Sequence, residues 1–388
     1  MTPALGGWSE ALTRDVRTNR AYRLCPLAAL PATHRRALQS ACSESSVIFG
    51  LLIAEPGSGL RDKVVDDAGA ALFTTLRKPG RLPTNDGNRL AQLVLDSVLE
   101  IDTENGFVSG PLAFATVDGL DDRPGPEDRL ASLSRAALDY AARLELPTVE
   151  QTAARLYCFN RVALSPRWRR AYPNPRAVHD LLRGPTLSRH WVEHFTWEDG
   201  PPDWLSWTRR GEPQRRKRTR YKLYVSPAVD ELPDVLTTLI DALTTAGARH
   251  FKIGPSAAGL VRPDKIVVYM DDATELAAVA NSLDVALRGV RPHGVPFTAE
   301  FAGDGLLSWG GDPAGGSGPL GAPPESWRQS VSRRLAEYLH AGRRAAIAQV
   351  SPTQFALARL AADGVDVRAF APTDIPAPVA PPPVVGAR

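Results

Sequence analysis

Three segments of this chain read as strands that carry lysines. Tyr221-Lys222-Leu223-Tyr224-Val225-Ser226 puts Lys222, Tyr224 and Ser226 on one face, because successive strand side chains point to opposite sides. In His250-Phe251-Lys252-Ile253-Gly254, Lys252 points away from Phe251 and Ile253. Lys265 and Tyr269 share a face of the third segment, 264–270. Converging lysines and tyrosines would suit a phosphate and a proton to be removed. The plainer reading is that Lys222 and Lys252 edge a sheet, as lysines often do. On spacing alone that reading stands first.

Charge is concentrated just ahead of the first strand. From Arg209 to Lys222 there are eight cations and one anion, Glu212. Such a run is either a solvated basic linker or an electrostatic guide for an acidic or phosphorylated peptide. Its entry into a lysine-bearing strand favours the guide.

Other motifs are weaker. His190-Trp191-Val192-Glu193-His194 matches H-x-x-E-H, which on a helix would offer two histidines to zinc. The helix would be short, and no downstream acidic ligand is evident, so His190 and His194 are better read as proton or hydrogen-bond donors, and no metal is expected. Gly316-Ser317-Gly318-Pro319-Leu320-Gly321 matches G-x-G-x-x-G but follows no strand and contains proline. A P-loop, a nucleophile elbow and a kinase catalytic loop are all missing.

The elements that position these residues have a legible order. Strand 221–226 is followed by helix 231–246, with Leu232, Leu236, Leu239 and Leu243 on one face. Strands 250–254 and 264–270 come next. Helix 273–288 opens with a capping box, Asp272 and Glu275, and carries the stripe Leu276, Val279, Leu283, Leu287. Strand 295–301 closes the series. The order β-α-β-β-α-β predicts an α+β fold with a split-βαβ, ferredoxin-like core. Upstream, the chain reads as mixed α and β. A strand is expected within 45–54, then a helix at 86–95 and a hairpin over 99–109 turning at Asn105-Gly106. Helix then hairpin is the winged-helix order; by analogy with peptide-modifying enzymes such a domain would hold a leader peptide, and the alternative is a plain structural role.

The expected domains are 1–125, mixed α/β; 126–214, a helical and Trp/Arg/Pro-rich connection; 215–370, the catalytic domain; and 371–388, a proline-rich disordered tail. Gly303–Pro324 reads as a loop and Trp327–Leu360 as helix. The 388 residues are 43% hydrophobic and 23% charged, ordinary for a globular protein. A net charge of +3 is too small for bulk nucleic-acid binding, and no apolar run reaches the length of a membrane span. Three scattered cysteines and no visible secretory signal fit a cytoplasmic location.

Taken together, several blocks resemble the HopA-type effector-like proteins of actinomycete ribosomal-peptide clusters, which include the stand-alone lyase component of class V lanthipeptide and thioamitide biosynthesis. The blocks are Tyr221-Lys222-Leu223-Tyr224-Val225-Ser226-Pro227, Phe251-Lys252-Ile253-Gly254, Arg262-Pro263-Asp264-Lys265, Gly305-Leu306-Leu307-Ser308-Trp309-Gly310 and Ser326-Trp327-Arg328. The resemblance spans roughly residues 219–360. More distantly, the lysine strands are similar to phosphothreonine lyases, which carry Lys-x-His where this chain has Lys222-Leu223-Tyr224.

The resemblance implies a phosphothreonine or phosphoserine lyase that leaves dehydrobutyrine or dehydroalanine and needs no cofactor. It makes Lys222 the base for the α-proton and Lys252 a catalytic phosphate contact. The acid is Tyr224 or one of His190, His194 and His250. Arg220, Arg262, Lys265 and Arg291 are phosphate-binding candidates, and Tyr269 and Trp309 candidate substrate contacts. The implied partners are a phosphorylated precursor peptide, a separate kinase and a cyclase. Two other readings stay open: a non-catalytic scaffold for precursor and kinase, and an effector-like lyase acting on phosphoproteins.

Overall fold

The computed structural model describes residues 6–41, 48–83, 86–104, 106–117, 128–195, 202–212, 221–313, 325–345 and 350–378. It is a mixed helix and sheet protein. The chain divides into two compact units, one made of Met1–Pro124, Leu144–Ala153 and Pro313–Val365, the other of Gly125–Arg143, Ala154–Asp312 and Asp366–Arg388.

The first unit holds two three-stranded sheets. One joins Val16–Thr18, Leu99–Thr103 and Gly106–Val108; the other joins Tyr22–Pro26, Gly50–Ala54 and Lys63–Val65. The helix Gly87–Leu95 precedes the hairpin Leu99–Val108, in the order read from the sequence; Asn105 of the turn lies outside the described residues. The helices Trp327–Ala345 and Pro352–Ala362 pack here: Phe355 and Ala358 share a core with Trp8, Val16, Leu90, Val94 and Phe114. They therefore do not extend the lysine-bearing domain, contrary to the sequence boundaries. The reason is their apolar face, which complements the N-terminal helices. Arg359 anchors the arrangement, ion-paired to Asp96 at 2.8 Å.

The second unit is built on a seven-stranded sheet. Its strands are β1 (Trp191–Glu193), β2 (Leu205–Arg209), β3 (Tyr221–Val225), β4 (His250–Ile253), β5 (Ile266–Met270), β6 (Ala299–Phe301) and β7 (Leu307–Gly311). In space they run β6-β7-β3-β5-β4-β2-β1, and every neighbouring pair is antiparallel. The helices are α1 (Arg129–Arg143), α2 (Leu232–Thr245) and α3 (Ala273–Ala286). The leucine stripes of α2 and α3 are buried in one core with Leu223, Val225, Phe251, Ile253, Ile266, Val268 and Trp309 from the sheet. Each such side chain contributes roughly 1.5–3 kcal/mol by leaving water. Asp272 caps α3 by accepting from the Glu275 amide at 2.8 Å; Glu275 reaches back to the amide of Asp271, one residue earlier than a standard capping box.

Three expectations are corrected. The strand expected over 295–301 is confined to β6, because Phe297 takes φ 63° and interrupts extended chain. The segment read as a loop from Gly303 contains β7, which lies between β6 and β3, one strand in from the sheet edge. The tail expected to be disordered from residue 371 begins as ordered chain: Ala371–Pro372 is a short strand and Ile375 lies in the sheet core. Residues 379–388 lie outside the described residues.

Candidate active site

With one sheet face closed by α2 and α3, the opposite face carries the polar residues. Register sets them in two rows across the strands. One row reads Gly310, Lys222, Tyr269, His250, Thr208, Val192. The next reads Glu300, Ser308, Tyr224, Val267, Lys252, Ser206. Antiparallel pairing of β3 with β5 and of β5 with β4 thus brings Lys222 and Lys252 together although 30 residues separate them. Both ammonium groups lie 5.4 Å from the centre of the Tyr269 ring.

Each lysine has a different setting. Lys222 Nζ is 2.6 Å from the Asp312 carboxylate, which follows β7 directly. Lys252 Nζ faces the Trp204 ring at 4.1 Å, just ahead of β2. Burial pushes the Lys252 amine down to about 8, helped by the charges of Lys222 and Arg262 and opposed by Asp264 and Asp312. A fraction of Lys252 is therefore neutral near pH 7.

Arg262 stands beside Lys252, on the turn between β4 and β5. Its guanidinium lies 4.9 Å from the Trp204 ring and forks onto Asp264 at 2.9 and 3.0 Å. The Tyr157 hydroxyl closes this group, donating to Asp264 at 3.0 Å and accepting from Arg262 at 2.9 Å. Burial works against the arginine's charge, but the Asp264 carboxylate outweighs it and holds the guanidinium protonated.

His250 lies next to Tyr269, with ring centroids 5.0 Å apart. The Thr208 hydroxyl contacts His250 Nδ1 at 2.9 Å, and the His194 ring lies 6.4 Å away. Tyr224 is enclosed, packed with Val267 and Val295 at 3% exposure. Ser308 Oγ, its cross-strand neighbour, is buried and has no hydrogen-bond partner among the described residues.

Four further sequence candidates are placed elsewhere. Lys265 is fully enclosed: its Nζ reaches Pro227 O at 3.0 Å, Ser226 Oγ at 3.3 Å and His293 Nδ1 at 2.8 Å. Burial pushes it down to about 7. His293 is pushed down to about 4, by burial and then by Lys265, so the imidazole is neutral. The network assigns its proton to Nε2, which donates to Asn160 O at 2.5 Å, leaving Nδ1 to accept from Lys265. This arrangement ties the end of β3 to the start of β5 and leaves Lys265 without a surface for phosphate. Arg291 is engaged by Asp230 and Glu231, both at 2.5 Å. Trp309 points into the core on the helix-covered face. Its strand parity opposes that of Lys222, because Trp309 pairs with Leu223. Arg220 and most of the basic run lie outside the described residues. His190 ends the short helix Pro185–His190, and the next three residues form β1, so the H-x-x-E-H segment is not the helix its zinc reading requires.

Asp312, Trp204, Tyr157 and Asp264 were missed as site residues. The first two sit in segments read as loop and connection. For Asp264 the only signal was its place inside the Arg262–Lys265 block.

No family model matches the chain, and no curated protein does. Solved structures do resemble it. An effector protein from Pseudomonas syringae pv. tomato strain DC3000 is 14% identical, with a TM-score of 0.38, covering 63% of this chain and 98% of that one. The type III effector and phosphothreonine lyase OspF from Shigella flexneri is 11% identical, with a TM-score of 0.28, covering 45% and 89%. The VirA (SpvC) phosphothreonine lyase effector of Chromobacterium violaceum is 12% identical, with a TM-score of 0.24, covering 31% and 64%.

Proposed function

We propose that this chain is a lyase that eliminates phosphate from phosphothreonine or phosphoserine in a peptide, leaving dehydrobutyrine or dehydroalanine. The observation that carries this reading is the cation set on the polar sheet face. Lys222 and Lys252 both lie against Tyr269, and Arg262 shares Trp204 with Lys252. Such a set binds a dianion and also holds an amine that is partly neutral at physiological pH.

The setting favours a division of labour different from the one the resemblance implies. Lys252 is the better base, because a proton acceptor must be neutral and burial favours its neutral form. Lys222, held by the Asp312 carboxylate, is the charged donor for phosphate oxygen or for the developing enolate. Arg262 contributes a rigid planar donor to the phosphate. In the reaction Lys252 takes the α-proton, the electron pair forms the Cα=Cβ bond, and the Cβ–O bond to phosphate breaks. The departing phosphate accepts a proton. Tyr269 and His250 are the half-buried donors on this face; Tyr224 is more enclosed. No metal or organic cofactor enters these steps.

The resemblance of the lysine blocks supports a ribosomally made precursor as the substrate, phosphorylated by a separate kinase, with a cyclase acting on the product. The spatial order β7-β3-β5-β4 supports reading the core as a split-βαβ unit. The helix and hairpin over 87–108 support a winged-helix role in holding a leader peptide. The test is incubation of the purified chain with a phosphothreonine peptide, read by mass spectrometry for loss of phosphoric acid and by release of inorganic phosphate. Elimination is the expected outcome. Tight phosphopeptide binding with no elimination at any pH would leave the scaffold reading in its place.

A further inference from the structure

One stretch of the second unit is basic and uninterrupted by acid. Between Glu150 and Asp180 stand six arginines and no Asp or Glu: Arg155, Arg161, Arg167, Arg169, Arg170 and Arg176. All six are exposed. Arg167, Arg169 and Arg170 lie on the helix Pro166–Ala171, which Ser165 caps by accepting from the Trp168 amide. None of these three forms an ion pair with a carboxylate among the described residues. Surface arginines whose only role is solvation are usually interspersed with acids.

This stretch is fastened to the loop that carries Arg262. The Val162 amide donates to Val261 O at 3.0 Å, and Arg161 Nη2 donates to Ala258 O at 2.6 Å. From the other side, the Ala257 amide donates to Tyr172 O at 3.2 Å. Tyr157, four residues before Arg161, belongs to the Arg262–Asp264 group itself. The arginine border is therefore continuous with one wall of the candidate active site.

We propose that residues 155–176 form a docking surface for an acidic peptide segment flanking the phosphorylated residue. This deepens the lyase reading and rests on it. The charges are complementary, and the surface adjoins the cations that would hold the phosphate. A nucleic acid is the less suitable occupant, because the net charge of the whole chain is only +3 and Asp264 and Asp312 stand among the site cations. The surface adds affinity for the substrate and takes no part in bond breaking.

The experiment uses the full chain and fluorescently labelled phosphothreonine peptides of equal length, one flanked by glutamates and one by glutamines. The acidic peptide should bind roughly tenfold or more tightly at low salt, and the difference should shrink as exposed charges are screened. The triple variant Arg167→Glu, Arg169→Glu, Arg170→Glu should lose this preference, with KM for the acidic peptide raised and kcat unchanged. The milder triple Gln variant guards against misfolding and should show the same direction. Equal affinity for both peptides in the unmodified chain overturns the proposal, as does tighter binding of a single-stranded RNA of matched charge. If no peptide is eliminated but the acidic preference is present and lost in the variants, the lyase reading fails and the docking surface stands.

Discussion

At the scale of single residues, the chemistry turns on which lysine is neutral. Lys252 is enclosed by Trp204 and Tyr269 and is paired with no carboxylate among the described residues, whereas Lys222 is held by Asp312. Elimination should therefore rise with pH and level off above about 8, where Lys252 has lost its proton. Lys252→Arg keeps the charge but cannot accept the α-proton, so it should be as inactive as Lys252→Ala, roughly 10²–10⁴-fold below the parent. Lys222→Arg keeps a cationic donor and should retain activity within roughly tenfold. The pH–rate profile and the two arginine variants decide the matter together. If Lys222→Arg is dead and Lys252→Arg active, the roles are reversed. Lys222, Lys252 and Tyr269 were legible in the sequence because strand alternation assigns them a face, whereas His250 entered only through the resemblance. Their ranking was not legible, because Asp312 and Trp204 approach from segments 90 and 48 residues away from the lysines they touch, and no local pattern marks such contacts.

At the scale of elements, the site depends on the pairing of β3, β5 and β4 and on the turn that joins the last two. That turn is tight. A Cβ added at Gly254 would fall 2.6 Å from the carbonyl carbon of Gly259, so the backbone of the two must separate before any side chain fits. The same turn presents Arg262. Gly254→Ala should therefore lower kcat/KM by displacing Arg262 and cost roughly 1–3 kcal/mol of stability, the usual penalty of overpacking. Unchanged kinetics in a correctly folded Gly254→Ala chain would separate Arg262 from this turn. Helices α2 and α3 were readable from their leucine stripes, and β3, β4 and β5 from their apolar alternation. β7 was not readable, because Ser308, Gly310 and Gly311 look like loop. Two of these small residues occupy the polar face, where Gly310 pairs with Lys222 and Ser308 with Tyr224, so the property that hid the strand is one that leaves room around the lysines.

At the scale of the whole molecule, the C-terminal segment and the buried cations govern stability. Phe370 is fully buried and meets the Phe297 ring edge-on at 5.6 Å, while the Tyr221 hydroxyl donates to Pro376 O at 3.1 Å. Phe370→Ala should cost about 3–5 kcal/mol, read from denaturant midpoints, which is not expected of a residue bordering a disordered tail. The buried cations act in one direction with pH. Lys265, Lys252 and His293 all have depressed values, at about 7, 8 and 4. Below its folded value each group is charged in both states, and the cost of burying that charge is felt in full. As pH rises past the folded value, the folded chain releases a proton that the unfolded chain still holds, so stability increases until the unfolded group titrates as well. His293 acts between about 4 and its ordinary value near 6.5, and the two lysines act from about 7 upward. Stability should therefore climb from pH 7 to about 9, by on the order of 1 kcal/mol per pH unit for each titrating lysine. Lys265→Met removes the group whose rise begins lowest of the two lysines and should flatten the lower part of that climb. The same variant strips the partner from Ser226 Oγ, Pro227 O and His293 Nδ1, so it should lower the absolute stability at pH 9. Denaturant midpoints at pH 7, 8 and 9 for the parent and the variant test both statements. Parallel curves with the same slope would show that the buried Lys265 amine does not change protonation in this range.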